Sequence, residues 1–259
     1  ENRPWEKVMK ERDWLYQTPI EILIKASNGA SDFGNKFGQP LINGSLLTFE
    51  HEEDDSTSPT TNARKLGFDK VIMLAGGIGY GKKEQALKDT PKENDKIIIL
   101  GGENYRIGMG GAAVSSADTG AFESGIELNA VQRSNPEMQK RAANAIRGMV
   151  ESDVNTIVSI HDHGAGGHLN CLSELVEDTG GKIDLDKLPV GDPTLSAKEI
   201  IGNESQERMG LVINGKNAKT LKKIAERERS PYYEVGEVTN DNRFTFESKT
   251  TGEKPMDLE

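Results

Sequence analysis

The segment IHDHGAGGH, residues 160–168, gives the clearest indication of the fold. Residues 156–160 predict a β-strand, four small residues predict a tight turn, and the apolar spacing from Leu169 predicts a helix. Glycines let backbone amides approach an anion, and a helix N-terminus favours negative charge. Asp162, at the strand tip, is suited to Mg²⁺, which prefers oxygen ligands and shares them with phosphates. We therefore expect a phosphate-binding turn; the alternative is a tight turn in which Asp162 only caps the helix.

The same segment allows a second interpretation, a zinc centre formed by His161, His163 and His168. A His-x-His pair on a strand places both rings on one face, and three nitrogens with a water form a hydrolytic zinc site. However, no second ligand motif accompanies them. Cys171 falls on helical spacing, which predicts a buried structural residue rather than a nucleophile. A zinc-dependent hydrolase stays as the alternative enzyme class.

Outward from this turn, towards the carboxyl end, strand and helix patterns alternate. Strands are predicted at residues 96–100, 156–160, 209–213, 232–235 and 243–247, the last two joined by a hairpin turn at Asn240–Asn242. Helices are predicted after Ser134 or Asn135, from Leu169, at residues 197–201 after Ser196, and at residues 217–229. This succession predicts an α/β fold, an α+β arrangement with a mixed sheet.

The amino-terminal part has a weaker pattern. Glycine and asparagine at close spacing in residues 25–40 predict tight turns. Residues 51–62 are acidic and rich in Ser and Thr, which predicts a surface loop. The polar segment Gly81–Asn94 predicts a domain boundary. Strands are predicted at residues 20–24 (or a buried turn there), 41–49 and 70–75.

A polar run, Asn203-Glu-Ser-Gln-Glu-Arg-Met209, precedes the strand predicted at 209–213. Its Glu204, Ser205 and Gln206 offer donors and acceptors for a polyhydroxylated, amide-bearing ligand, and Arg208 is suited to a phosphate or carboxylate. The alternative is a solvated loop or a helix cap with salt bridges.

Two further glycine-rich segments resemble nucleotide-binding loops only in part. Gly76–Lys83 nearly matches the G-x-x-x-x-G-K-[ST] loop, but Lys83 cannot donate the hydroxyl that ligates Mg²⁺. Gly108–Ala113 lacks the G-x-G-x-x-G pattern, so a dinucleotide fold is weakly supported.

Composition excludes several classes of protein. The 259 residues carry 32 basic and 42 acidic side chains, a net charge of −10, and the pI is near 5.1. This acidic balance argues against a protein that binds nucleic acid or a basic protein that binds membrane surfaces. The longest apolar runs are far shorter than the roughly 20 residues of a membrane span. A single cysteine fits a reducing compartment, so we expect a cytoplasmic protein. Glu1 is not a start methionine, so we expect a piece of a longer chain. A non-catalytic interaction domain with structural glycines remains a second alternative.

Seven blocks together resemble the phosphoribosylformylglycinamidine synthase family in its long, single-chain form, in family order and over nearly the whole chain. The blocks are residues 26–40, 72–79, 108–116, 131–138, 161–167, 203–209 and 227–232. The resemblance implies an internal fragment, with residues 1–88 as the tail of the first A-type synthetase domain, including the acidic loop 51–62. It implies that residues 89–259 form the first B-type domain, like the C-terminal domain of aminoimidazole ribonucleotide synthetase.

The resemblance also implies a function in de novo purine biosynthesis. The family enzyme is a ligase that joins formylglycinamide ribonucleotide, ATP and ammonia drawn from glutamine. ATP activates the substrate amide oxygen as an iminophosphate, and ammonia displaces phosphate. The partners implied are the paired synthetase half and the glutaminase domain of the same chain, so the fragment alone is expected to be inactive.

Matched residue by residue, the resemblance implies that Asp162 is a Mg²⁺ ligand and that Gln132 contacts the substrate. It also implies that Glu204, Ser205 and Gln206 line the substrate. His163 and His168 depart from the family pattern and make the turn bulkier and more polar, without removing a matched ligand.

Overall fold

A computed structural model describes residues 17–53, 64–68, 71–118, 121–130, 134–164, 166–204 and 207–259 of the chain. The chain divides into two compact units, with the change after Gly79 and a brief return to the first unit at Asp118. No described helix is both long and apolar enough to cross a lipid bilayer. The predicted division after residue 88 stays a prediction, because compactness alone does not assign a segment to a family domain.

The first unit contains the helix α1 (Pro19–Phe37), where turns had been expected. The Thr18 hydroxyl accepts a hydrogen bond from the Glu21 N–H, and the Glu21 carboxylate accepts one from the Thr18 N–H at 2.8 Å. This capping box, with Pro19 at the first helical position, starts the helix. The strand or buried turn predicted at 20–24 and the tight turns predicted at 25–40 are therefore wrong.

The strands of the first unit also differ from those predicted. β1 (Glu50–Glu53) pairs antiparallel with β2 (Arg64–Gly67), so the start of the predicted acidic loop is a strand. The rest of that loop, from residue 54, lies outside the described residues. Residues 41–49 and 71–75 form no regular strand, because an apolar run needs hydrogen-bonding neighbours to become one.

Among the described residues, the second unit is built on a mixed seven-stranded sheet of order β4-β6-β3-β7-β5-β8-β9, in which β5 and β8 pair in parallel and the other neighbouring strands pair antiparallel. This sheet and its helices confirm the predicted fold class. The bounds are β3 (Lys96–Gly101), α2 (Gly111–Ser116), α3 (Ser124–Asn129), α4 (Pro136–Val150), β4 (Ile157–Asp162), α5 (Gly167–Leu175), β5 (Gly181–Asp184), α6 (Ala197–Gly202), β6 (Arg208–Ile213), α7 (Gly215–Arg227), β7 (Tyr232–Val238), β8 (Phe244–Glu247) and β9 (Met256–Leu258).

Two apolar cores cover the two faces of this sheet. In the central strand β3, Ile97 and Ile99 contribute to one core and Ile98 and Leu100 to the other, as strand alternation requires. Residues of α5 and α6 complete the first core, and residues of α4 and α7 complete the second. β3 is therefore buried on both faces and fixes the position of its neighbours β6 and β7.

The helix caps read from the sequence are confirmed. The Asn135 side chain accepts from the Met138 N–H at 3.0 Å with Pro136 at the start of α4, and the Ser196 hydroxyl accepts from the Glu199 N–H in α6. The hairpin predicted at Asn240–Asn242 is wrong. β7 and β8 do not pair with each other, because β5 lies between them in the sheet.

Candidate active site

Asp162 is the last residue of β4, and its side chain is exposed. It pairs with Met209 of β6, and the next N–H, that of His163, donates to the Arg208 carbonyl at 3.2 Å. The register therefore places the Asp162 tip beside Arg208 and Met209, the last two residues of the polar run.

The glycines of the turn have two separate roles. A Cβ on Gly164 would lie 3.0 Å from Asp162 Oδ1, so glycine leaves room beside the carboxylate. Gly167 has φ +58°, and a Cβ there would lie 2.3 Å from the Asn203 carbonyl oxygen. Only glycine combines that backbone angle with so close an approach. Gly166 is the N-cap of α5 and no side chain caps this end, so the alternative in which Asp162 caps the helix is wrong.

Two histidines of the turn are buried and contact each other. His163 Nε2 lies 3.0 Å from His168 Nδ1, and His168 Nε2 lies 3.2 Å from Arg208 Nη1. Burial lowers the pKa of both histidines well below the usual value, and the Arg208 charge lowers it further. Both rings are therefore neutral at physiological pH.

This geometry does not support the zinc interpretation. The Nε2 atom of His161 contacts the Glu174 carboxylate, while the rings of His163 and His168 face each other. Within the described ranges, no group of three or more His, Cys, Asp or Glu side chains is placed to hold a metal ion.

The polar run is a buried structural segment over the part that the structure describes, not a solvated loop. Asn203 is fully buried, and its Nδ2 donates to the Tyr105 carbonyl and contacts Met109 Sδ at 3.2 Å. Glu204 is half-buried, and its N–H donates to the Gly108 carbonyl at 3.3 Å. Ser205 and Gln206 lie outside the described residues.

Arg208 is buried, contrary to the sequence-based expectation that it is available to a phosphate or carboxylate. It is 4% exposed, and its Nη2 donates to the Asn203 carbonyl at 2.9 Å. Burial lowers its pKa to about 9. The strand register explains the difference, because it directs this side chain under the turn instead of towards the sheet edge.

Gln132 also lies outside the described residues, but its neighbourhood is partly described. The Asn135 N–H donates to Glu207 Oε1 at 3.2 Å, and burial raises the pKa of Glu207. Thus the residues that closely follow Gln132 and Gln206 are hydrogen-bonded to each other. The prediction that Gln132 and the 204–206 segment share one site remains a prediction.

Sequence reasoning missed a cleft of about 440 Å³ at the end of β3 and the start of α4, lined by Glu103, Tyr105, Met138 and Tyr233 among others. The Tyr105 hydroxyl donates to the Glu103 carboxylate at 3.2 Å. The signal available was the Gly101-Gly102 pair at the end of a buried strand.

Cys171 is buried as expected, 1% exposed. Its Sγ contacts the His161 carbonyl at 3.4 Å, and burial raises the pKa of its thiol to about 12. A thiol of that pKa is not a nucleophile at physiological pH.

Comparison with known proteins extends this description. The family model described as AIR synthase related protein, C-terminal domain, matches residues 92–249. The phosphoribosylformylglycinamidine synthases of Dictyostelium discoideum, Schizosaccharomyces pombe and Homo sapiens are 41%, 39% and 38% identical over 98%, 99% and 95% of this chain. The chain spans only 18%, 19% and 18% of their lengths.

Solved structures show the same fold. T. maritima PurL complexed with FGAR has a TM-score of 0.66 and 25% identity, and covers 89% of this chain and 35% of its own. T. maritima PurL complexed with ATP has a TM-score of 0.60 at 22% identity, over 90% of this chain and 34% of its own.

Proposed function

The chain belongs to the AIR synthase related protein family, and we propose that it is an internal segment of a phosphoribosylformylglycinamidine synthase, an ATP- and glutamine-dependent ligase. The substrate would be formylglycinamide ribonucleotide (FGAR), which is bound in the similar T. maritima PurL. The product would be formylglycinamidine ribonucleotide.

The proposed reaction has two steps. The amide oxygen of FGAR attacks the γ-phosphorus of ATP, and ADP leaves. Ammonia then adds to the carbon of the resulting iminophosphate, and the bond from that carbon to the phosphate oxygen breaks, releasing phosphate. The single cysteine of the chain is the buried Cys171, so glutamine hydrolysis would take place in another part of the longer protein.

The observation that carries this proposal is the exposed Asp162 carboxylate at the β4 tip, beside the space that Gly164 leaves. These residues fit Mg²⁺, which binds through one or two carboxylates and takes its other ligands from phosphates and water. When bound, Mg²⁺ would offset negative charge on the phosphate oxygens of ATP. Asp162 would hold it, and the uncapped N-terminus of α5 would favour the same anion.

Glu204, Ser205, Gln206 and Gln132 would position the ribonucleotide amide. For Glu204 the support is its fixed backbone, since the bond to Gly108 joins it to the second glycine-rich segment. For Ser205 and Gln206 the support is their place between Glu204 and Glu207. For Gln132 the support is the hydrogen bond from the Asn135 N–H, three residues further along the chain, to the Glu207 carboxylate.

The proposed partners are the other parts of the same longer protein, a paired synthetase half and a glutaminase domain. The curated relatives are far longer than this chain, which supports that proposal. We propose the cytoplasm as the compartment, because a buried thiol and the absence of a second cysteine fit a reducing environment.

The test is Asp162→Asn in the full-length protein, assayed for formylglycinamidine ribonucleotide with FGAR, ATP and glutamine. We expect kcat/KM to fall by about 100-fold or more, because an amide is a poor Mg²⁺ ligand. Asp153→Asn, an exposed aspartate before the other end of β4, is the matched control and should leave the rate unchanged. Absence of any ligase activity in the unmodified protein would contradict the proposed function, and unchanged kinetics in Asp162→Asn would remove the metal assignment.

A further inference from the structure

A line of three buried polar side chains runs beneath the candidate site. His163, His168 and Arg208 are 5%, 0% and 4% exposed, and each contacts the next. They come from the turn, from α5 and from β6. No residue of this set is needed to fill a ligand role in the proposed reaction.

The hydrogen-bond chemistry of arginine fixes the direction of this line. A guanidinium only donates, so His168 Nε2 must accept from Arg208 Nη1. A neutral imidazole carries one proton, which then lies on His168 Nδ1 and is donated to His163 Nε2. His163 in turn carries its proton on Nδ1. Every donor and acceptor between Arg208 and His163 is thereby assigned to a single tautomer.

The line joins the two segments of the candidate site. At one end, His163 directly follows Asp162. At the other end, Arg208 donates to the Asn203 carbonyl at 2.9 Å, and Asn203 precedes Glu204. Gly167 approaches that same carbonyl closely. A change at His168 would therefore reach both the Asp162 turn and the Glu204 segment.

Burying these three polar side chains costs free energy that filling the same space with apolar side chains would not. A buried guanidinium loses its hydration, and within the described part of the chain no carboxylate forms a salt bridge with Arg208. Apolar side chains of similar volume would pack there without that cost. Apolar side chains would not fix the orientation of the two segments, because only directional hydrogen bonds fix both at once.

We infer that Arg208, His168 and His163 form a hydrogen-bonded relay that positions Asp162 and the Asn203–Glu204 segment relative to each other. This inference rests on the proposed function for its ligands. All three side chains are buried beneath the turn, so they act through Asp162 and Glu204 as positioning residues and not as catalytic residues. His168 is the central member, since it accepts from one partner and donates to the other.

Three substitutions at His168 separate the two arms of the relay. The amide of His168→Asn lies where Nδ1 does, so it keeps the donation to His163 and loses the Arg208 contact. The carbonyl of His168→Gln lies where Nε2 does, so it keeps the Arg208 contact and loses the donation. His168→Leu loses both. Leu175→Val, in the core on the same helix, is the control for a purely structural loss of packing.

The experiment measures hydrogen–deuterium exchange in the full-length protein, on peptides covering residues 163–168 and 203–208. We expect His168→Gln to speed exchange about five- to tenfold in 163–168 only, as for one lost hydrogen bond, and His168→Asn to do so in 203–208 only. His168→Leu should speed exchange in both peptides. Leu175→Val should not speed exchange selectively in either peptide. Equal changes in both peptides for the Asn and Gln variants, or none in His168→Leu, would overturn the relay.

Kinetics of the same variants connect the relay to the site. We expect His168→Gln to raise the half-saturating concentration of Mg·ATP, and His168→Asn to raise the KM for FGAR, each by about three- to tenfold. A uniform fall in kcat across all variants would show a structural role and overturn the inference. If the unmodified protein has no ligase activity, the proposed function fails, while the exchange pattern still tests the relay by itself.

Discussion

Two runs of apolar residues in this chain have opposite environments. In the buried run, Ile97–Leu100, every side chain is 0% exposed, and the strand is hydrogen-bonded on both edges to β6 and β7. In the exposed run, Val71–Leu74, exposure is 56% to 91% and no regular strand forms. The difference shows that apolar composition becomes a strand only where neighbouring strands complete the ladder and helices cover both faces.

The sharpest test of this comparison is a matched pair of truncations. Ile98→Ala in the buried run should lower the free energy of unfolding by about 2–5 kcal/mol, because it removes buried methylenes and leaves a cavity. Ile72→Ala in the exposed run should change it by less than about 0.5 kcal/mol. Urea unfolding followed by circular dichroism measures both. Similar losses for the two variants would show that the exposed run is packed after all.

The parts of the fold that could be predicted from the sequence are those that local patterns encode. Local signals identified β3, β4 and β6 and the caps Asn135 and Ser196, because pattern and cap lie next to each other in the sequence. The separation of β7 from β8 by β5 is a long-range pairing, and no local turn signal encodes it. The helix α1 was not predicted although Thr18-Pro-Ile-Glu21 is a capping box, because the glycines and asparagines that follow it are also typical of turns.

The candidate site was predictable in its exposed part and unpredictable in its buried part. The strand-to-helix turn and its aspartate are recognised from residue type and spacing alone. The roles of His168 and Arg208 depend on which side chain lies across the β4–β6 register and beneath the turn. That information belongs to the three-dimensional arrangement, and so Arg208 was wrongly expected to face a ligand.

A second comparison concerns two glycines with similar backbone angles in packed and open surroundings. Gly167→Ala should lower the free energy of unfolding by about 2–5 kcal/mol, the sum of left-handed strain and overpacking against the Asn203 carbonyl. Gly110 has φ +69°, and a Cβ there would meet no atom within 4 Å, so Gly110→Ala should cost only the strain, about 1–2 kcal/mol. Thermal unfolding measures the difference, and equal costs would mean that the Asn203 segment moves aside freely.

The buried His168 should also make the free energy of unfolding depend on pH. Burial, with the charge of Arg208 and the neighbouring His163, lowers the pKa of His168 well below 6.5. The unfolded chain therefore binds this proton at a higher pH than the folded chain does. The contribution of this ring to the free energy of unfolding is therefore complete above pH 6.5. At lower pH the free energy of unfolding decreases, by up to about 1.4 kcal/mol per pH unit for this ring. His168→Leu should remove that part of the slope in urea unfolding between pH 6.5 and 5, and an unchanged slope would contradict the assignment.

Substitutions in the exposed run should have the smallest effect on the free energy of unfolding. The main consequence of this run should be self-association of the chain. Contiguous exposed apolar side chains favour contact with another surface. At high concentration the 259-residue chain should therefore show a mass above that of a monomer by light scattering. The double variant Ile72→Ser, Leu74→Ser should lower that mass and leave the free energy of unfolding within about 0.5 kcal/mol. Val154→Ser removes a single exposed valine, 71% exposed, and should leave the mass unchanged. A monomeric unmodified chain would show that exposure of this run does not drive association, and the contrast between the two runs would then concern strand pairing alone.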